Sequence, residues 1–175
     1  MDHLQQKIKQ AIQILEKERI DLWLILVRES EVSHDPALDL VVEKEVTWES
    51  AFIISRKGEK YAIVGRGDVA KIKSLGMYEV FGYDQSIKSH LLRILTHLDP
   101  QKIAINYSGD NVMADGLSHG MYLLLLEHLE GTPFVNRLIS AEKIISKLRG
   151  IKSPLEIKQI KKAIRVTEKL FSKLD

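Results

Sequence analysis

The sequence predicts a three-layer α/β/α domain whose central mixed sheet contains five or six strands. Six consecutive apolar residues, Leu22–Val27, are typical of a strand that is covered on both faces. Lys57 and Gly58 lie between two strand-like runs and predict a tight hairpin. After this hairpin, strand patterns alternate with helix patterns along the chain. That alternation favours helical layers on both sides of the sheet.

In the first half of the chain, the apolar spacing predicts three helices and four strands. The first helix is predicted from Leu4, Ile8, Ala11 and Leu15, which recur at steps of three and four residues. Gly76 is expected to end the third helix. The predicted helices cover 2–18, 37–42 and 68–75, and the predicted strands cover 22–27, 48–56, 59–64 and 78–83.

The second half continues the same alternation. Ser86 is expected to cap a helix that Asp99 and Pro100 end. Phe134 and Val135 are predicted to form a brief last strand. The other predicted elements are a strand over 102–106, a loop over 107–115, and helices over 86–98, 117–129 and 141–148. We therefore expect one α/β domain over 1–148, followed over 149–175 by a linker and a further helix.

The further helix has a well-defined beginning and no predicted end. Ser153, Pro154 and Glu156 occupy the N-cap, first and third positions of a capping box. One apolar stripe follows, formed by Ile160, Ala163, Ile164, Thr167, Leu170, Phe171 and Leu174. No Gly or Asn stop signal follows this stripe, and Asp175 places a negative charge at the unfavourable end of the helix dipole. We therefore expect the chain to be cut inside the first helix of a following domain.

Composition excludes several classes of function. The 175-residue chain has no cysteine, which rules out disulfides, a thiol nucleophile and cysteine-bound zinc. Its net charge of +2 implies no general attraction to nucleic acid or to anionic membranes. The first ten residues are too polar for a signal peptide, and the apolar runs are too short to span a membrane. We expect a soluble, cytoplasmic protein.

The junction around the last helix resembles that of the creatinase, prolidase and Xaa-Pro aminopeptidase family. The residues that carry the resemblance are Arg149, Ile151, Lys152, Ser153, Glu156, Ile157, Ile160, Lys162 and Ala163. In that family an N-terminal α/β domain with a ribonuclease H-like motif precedes a catalytic domain of "pita-bread" fold. The resemblance implies that residues 1–148 form this N-terminal domain and that the metal-binding catalytic domain lies beyond residue 175.

The same resemblance implies the partners and cofactors. This chain would hold no cofactor, no metal and no catalytic residue, whereas the parent enzyme would use two divalent ions (Mn, Co or Zn) to hydrolyse bonds next to proline. The expected partners are the protein's own C-terminal catalytic domain, a second subunit in a homodimer and a peptide substrate at the edge of the domain. Neither nucleic acid nor a membrane is an expected partner.

Three residues form the predicted substrate-access site. His34 and Asp35 follow the first predicted strand, and Trp48 begins the second. Ligands of α/β sheets collect at strand ends where the connections diverge. In the family that the chain resembles, loops of the N-terminal domain overhang the active site and restrict it to short peptides. The alternative interpretation is that these are polar loop groups and a packing tryptophan.

The turn at 65–70 favours an alternative hypothesis, in which the chain is a stand-alone small-molecule or nucleotide-binding module. Gly65 and Gly67 follow a strand and precede a helix, and Asp84 lies about twenty residues further on, which is the outline of a dinucleotide fingerprint. Against it, Asp68 places a carboxylate where the pyrophosphate must approach. A plain N-cap role for Asp68 is the favoured interpretation.

The remaining chemistry-bearing residues are interpreted as structural. Asp99 and Asp110 have the spacing of two metal ligands, but they are expected in a helix terminator and a turn. Ser108 lacks the strand-to-helix elbow that a nucleophilic serine needs. The lysines of 147–173 are interpreted as a solvated helix face rather than a nucleic-acid site. The histidines expected to be solvated on helices are His90, His97, His119 and His128.

Overall fold

Six strands form one mixed sheet in the computed structural model, which describes residues 3–172. The strands are β1 (Leu22–Val27), β2 (Ser50–Ser55), β3 (Lys60–Gly65), β4 (Glu79–Tyr83), β5 (Ile103–Ile105) and β6 (Leu138–Ser140). Their order across the sheet is β4-β3-β2-β1-β5-β6. Only β2 runs antiparallel to its neighbours; the other adjacent pairs are parallel. The predicted hairpin joins β2 to β3.

Helices cover both faces of the sheet, which confirms the predicted three-layer α/β/α fold. They are α1 (His3–Glu18), α2 (Val69–Lys73), α3 (Lys88–Leu98), α4 (His119–Leu129), α5 (Glu142–Gly150) and α6 (Pro154–Phe171). Apolar residues of α1, α2 and α5 pack in one core, and those of α3 and α4 pack in the other. Short 3₁₀ helices lie at Leu38–Leu40, Arg66–Asp68, Val112–Ala114 and Pro133–Arg137.

The central strand β1 is buried on both faces, as its uninterrupted apolar run predicts. Trp23, Ile25 and Val27 point into the core formed with α1 and α5. Leu22, Leu24 and Leu26 point into the core formed with α3 and α4. Because successive strand residues face opposite sides of a sheet, both sets must be apolar when both sides are covered.

The strand predicted at Phe134 and Val135 is wrong. Both residues lie in the 3₁₀ helix Pro133–Arg137, and the strand β6 begins only after it. The Thr132 hydroxyl accepts a hydrogen bond from the Phe134 amide, and Pro133 follows at the first helical position. This cap and proline define a helix start, so Phe134 is buried, and Val135 partly buried, from a helical turn rather than from a strand. The helix predicted over 37–42 is likewise only the 3₁₀ turn Leu38–Leu40.

The last helix, α6, leaves the α/β body with its apolar stripe uncovered. Its predicted capping box is confirmed, because Ser153 Oγ accepts from the Glu156 amide and the Glu156 carboxylate accepts from the Ser153 amide. No residue of α6 is buried, and the large apolar side chains of its stripe are 45–66% exposed. The predicted stripe residue Leu174 and the chain end at Asp175 lie outside the described residues. Within residues 3–172, no helix has both the length and the apolar character of a membrane span.

Candidate functional edge of the sheet

Five of the six strands end at the same edge of the sheet. Because β1, β3, β4, β5 and β6 run in one direction, their carboxyl ends lie side by side, together with the beginning of β2. We call this the carboxyl edge. In open α/β sheets, ligands bind at this edge where neighbouring strands send their connections apart. Here that position lies between β1 and β5.

The crevice between β1 and β5 is filled by the protein's own side chains. Asp35, in the loop after β1, is 1% exposed, and Asn106 follows β5. Asn106 Nδ2 donates to Asp35 Oδ2 over 2.8 Å, and the Ala37 amide donates to Asp35 Oδ1 over 2.8 Å. Trp23 Nε1 donates to Asn106 Oδ1 over 2.7 Å. Burial raises the pKa of Asp35, although the bonds from Asn106 and Ala37 oppose this shift.

Two further contacts close the space around Asp35. Gly116 lies so near that a Cβ atom there would be 2.2 Å from Asp35 Cγ. Arg149 Nη1 donates to the carbonyl of Pro36, the next residue along. The protein's own side chains therefore fill the position at which ligands usually bind in such sheets. Asp35 positions the loop after β1 and does not reach the surface.

His34, unlike Asp35, lies on the surface. Its Nε2 is 3.1 Å from Asp39 Oδ2, and both side chains are largely exposed. Of the three residues predicted to form the substrate-access site, the structure therefore places His34 and Trp48 at the surface and Asp35 inside. The buried Asp35 fixes the turn that presents its neighbour His34.

Trp48 is a half-exposed aromatic side chain held in place on several sides. Its exposed fraction is 48%, and its ring packs over Gly65 and beside Tyr83, with the Trp48 and Tyr83 ring centroids 5.9 Å apart. A Cβ atom at Gly65 would lie 2.8 Å from Trp48 Cε3, so only glycine leaves room for the ring. Rigid, partly exposed tryptophans are common anchors of protein interfaces.

Hydrogen bonds that Glu49 accepts fix the backbone next to Trp48. His128 Nε2 and Glu49 Oε1 are 2.8 Å apart, and both side chains are mostly buried. The Tyr83 hydroxyl donates to the Glu49 carbonyl over 2.7 Å. Burial raises the pKa of Tyr83 to about 12, so this hydroxyl keeps its proton at neutral pH. The prediction that His128 is solvated is wrong, because its side chain is mostly buried and contacts Glu49, the residue after Trp48.

The glycine turn at 65–70 lacks the features of a dinucleotide site. Asp68 occupies the predicted N-cap position of α2, but its side chain makes no capping hydrogen bond there. Its Oδ2 accepts from the Thr47 amide over 2.9 Å, and its Oδ1 pairs with Lys71 Nζ over 2.9 Å. Asp84, the residue expected to bind a ribose, accepts a hydrogen bond from Arg66 Nε over 2.6 Å. The helix that follows has only five residues, too short for the helix N-terminus such a site uses.

The other candidate ligands and nucleophiles are dispersed. Asp99 ends α3 in a left-handed conformation and accepts from Arg137 Nη1 over 2.6 Å, while Asp110 lies in the loop after β5. Ser108 Oγ donates to Glu142 over 2.7 Å and closes that loop. Within residues 3–172, no three His, Asp or Glu side chains are grouped as metal ligands.

An open groove lies next to the filled crevice. It has a volume of about 580 Å³. Its lining residues are Tyr107, Asp115, Leu117, Ser118, His119 and Tyr122. The groove could not be predicted from the sequence, because its two sides come from the loop after β5 and from the first turns of α4. An exposed aromatic residue two positions after a buried strand, here Tyr107, is the sequence signal that points to it.

Several solved structures that match this architecture are named as peptidases. They include an X-Pro aminopeptidase from Thermotoga maritima (19% identity, TM-score 0.67, 95% of this chain and 42% of that chain) and an Xaa-Pro dipeptidase from Bacillus anthracis (18%, 0.61, 89% and 38%). A third is the N-terminal domain of the cytoplasmic peptidase PepQ from Mycobacterium tuberculosis (12%, 0.59, 82% and 98%). The fold is that of an Xaa-Pro peptidase N-terminal domain. The resemblance predicted from the junction is confirmed at the level of the fold.

The extent of these matches differs between the structures. The chain spans about two fifths of the length of the Thermotoga and Bacillus enzymes, but nearly all of the PepQ domain. At these identities, the likeness establishes the fold alone. No protein-family model and no curated protein sequence match the chain.

Replacing Gly116 with alanine tests whether the filled crevice is tightly packed. The added Cβ would meet the Asp35 carboxyl group, so Gly116→Ala should lower the free energy of unfolding by about 1–3 kcal/mol. The matched control is Gly120→Ala, since a Cβ there meets nothing and alanine favours the helix. Chemical denaturation followed by circular dichroism measures both. Equal stability of the two variants would contradict the proposed packing.

Replacing Gly65 with alanine tests how Trp48 is held. Gly65→Ala should push the Trp48 ring outwards and increase the quenching of its fluorescence by acrylamide. Trp23 is fully buried and contributes little to the quenching. Gly67→Ala is the control, because a Cβ there has nothing within 4 Å. Unchanged quenching in Gly65→Ala would show that the ring does not depend on that glycine.

Proposed function

We propose that this chain is the non-catalytic N-terminal domain of an Xaa-Pro dipeptidase or aminopeptidase-like hydrolase. The observation that carries this proposal is an α/β body of the peptidase N-terminal fold from which α6 emerges with an uncovered apolar stripe. The work of the domain is to dock on a catalytic domain, to support a homodimer and to limit access of peptides to the active site.

Docking uses the apolar stripe of α6. Ile160, Ile164 and Phe171 are each exposed by nearly half or more, an arrangement that a helix adopts when another surface covers it. The occupant is the catalytic domain that follows in the same protein. The chemistry would belong to that domain, which would hold two divalent ions and supply metal-assisted hydrolysis of the bond next to proline.

Substrate access uses the surface residues of the carboxyl edge. Trp48 offers a rigid aromatic face, and His34 is exposed in the loop after β1. Proline-containing peptides bind aromatic surfaces well, because their extended conformation loses little entropy on binding. In this role, the two side chains lie beside the active site of the same or a neighbouring subunit of a cytoplasmic homodimer.

The test compares this 175-residue chain with the product of the complete reading frame that contains it. With Mn, Co or Zn added, the chain alone should not hydrolyse an Xaa-Pro dipeptide, whereas the longer protein should. In the longer protein, Trp48→Ala should raise KM several-fold, while Val32→Ala, which changes another exposed apolar residue, should not. Metal-dependent hydrolysis by the chain alone would defeat the proposal.

Saturable dinucleotide binding that Gly67→Val abolishes would favour the alternative small-molecule module.

The uncovered stripe also predicts weak self-association of the chain when it is studied alone. α6 carries five basic and two acidic residues, so repulsion between copies opposes association and added salt should strengthen it. The double substitution Ile160→Glu with Ile164→Glu should abolish association in sedimentation experiments. Lys161→Gln with Lys162→Gln is the control and should retain it. A chain that stays monomeric at high concentration in high salt would contradict the expectation.

A further inference from the structure

Lys7 is a fully buried cation in the middle of α1. Its side chain is 0% exposed, which is rare for lysine unless the charge is compensated. Its Nζ donates to the Leu148 carbonyl over 2.8 Å and to the Ile151 carbonyl over 3.2 Å, and lies 2.8 Å from Glu156 Oε2. An ammonium group has three donors, and here each has an acceptor.

The three acceptors lie on both sides of the connection between α5 and α6. Leu148 lies in the last turn of α5, where free carbonyls and the helix dipole favour a positive charge. Ile151 belongs to the linker, and Glu156 is in the first turn of α6. One ammonium group therefore joins the end of α5, the linker and the beginning of α6 to α1.

Glu156 takes part in two interactions at once. One carboxylate oxygen accepts from the Ser153 amide over 2.6 Å within the capping box and also faces Lys7. Burial acts to raise the pKa of Glu156, but the bonds from Lys7 and Ser153 outweigh it and lower that pKa. Glu156 thus both closes the capping box of α6 and links α6 to the α/β body.

The contact between Lys7 and Glu156 attaches α6 to the α/β body. No residue of α6 is buried, and its other side-chain hydrogen bonds are local ones within the helix. Among residues 3–172, Lys7 with Glu156 is the one polar side-chain contact that joins α6 to α1, to the sheet or to the other helices. Without it, the backbone of residues 151–153 and the partly buried Leu155 would set the course of the helix.

We propose that Lys7 is a positioning residue that fixes the direction in which α6 leaves the α/β body. It acts through Glu156 and the two carbonyls, and not by contact with any substrate. If the proposed function is correct, the same bond sets the angle between this domain and the catalytic domain. The direction of α6 itself can be measured without that assumption.

The experiment measures distances between two spin labels in the 175-residue chain. The protein has no cysteine, so Ser89→Cys on α3 and Lys169→Cys on α6 give two unique labelling sites. Pulsed electron paramagnetic resonance should give a narrow distance distribution in the otherwise native chain. Lys7→Met, which keeps the length of the side chain but removes its charge, should broaden and shift that distribution. Lys9→Met, on the exposed face of α1, is the matched control and should leave it unchanged.

Glu156→Gln separates the ion pair from the helix cap. Glutamine still closes a capping box, so α6 forms, while the charge opposite Lys7 is lost. This variant, on a partly exposed residue, should fold even if Lys7→Met does not, and should give an intermediate broadening. A distribution in Glu156→Gln that superimposes on the native one would overturn the proposal, as would a superimposable distribution in folded Lys7→Met. Because no catalytic domain or substrate enters the measurement, its failure would leave the proposed function standing.

Discussion

β1 has no exposed side chain on either face, so a layer of helices must cover each side of the sheet. Its two neighbours differ in direction, with β2 antiparallel and β5 parallel. An antiparallel neighbour follows through a loop on the same edge, whereas a parallel neighbour requires a crossover. The later return of the chain to β5 is such a crossover, whereas β2 follows β1 through the loop 28–49.

The same burial determines what happens at the carboxyl edge. Trp23 lies in the core, and its indole N–H needs an acceptor there because an unpaired buried donor is costly. Asn106 supplies the acceptor, and its amide group in turn donates to Asp35. The hydrogen bonds from Trp23 to Asn106 and from Asn106 to Asp35 thus run from the core into the crevice, and these side chains fill it. At this edge the crevice is thus closed, which leaves exposed side chains, such as His34 and Trp48, and the open groove beside the crevice accessible to other molecules.

Much of the fold could be predicted because its signals are local. The run in β1, the hairpin at Lys57 and Gly58 and the capping box of α6 each depend on residues a few positions apart. The candidate site was less predictable because its contacts join distant positions. Glu49 and His128 are 79 residues apart, and the amide that Asp68 binds lies 21 residues before it. Burial of a polar residue such as Asp35 depends on which loop covers it, and a single sequence does not state that.

The close approach of the Trp48 ring to Gly65 has a consequence for how this protein can vary. Any side chain at the glycine position requires the indole to move, while a small side chain in place of the indole would leave an empty space above the glycine. Each substitution alone is therefore unfavourable, but an alanine at the first position together with a smaller residue at the second restores close packing. Among distant homologues we expect positions 48 and 65 to change as a pair, so that a large aromatic residue at position 48 occurs together with glycine at position 65.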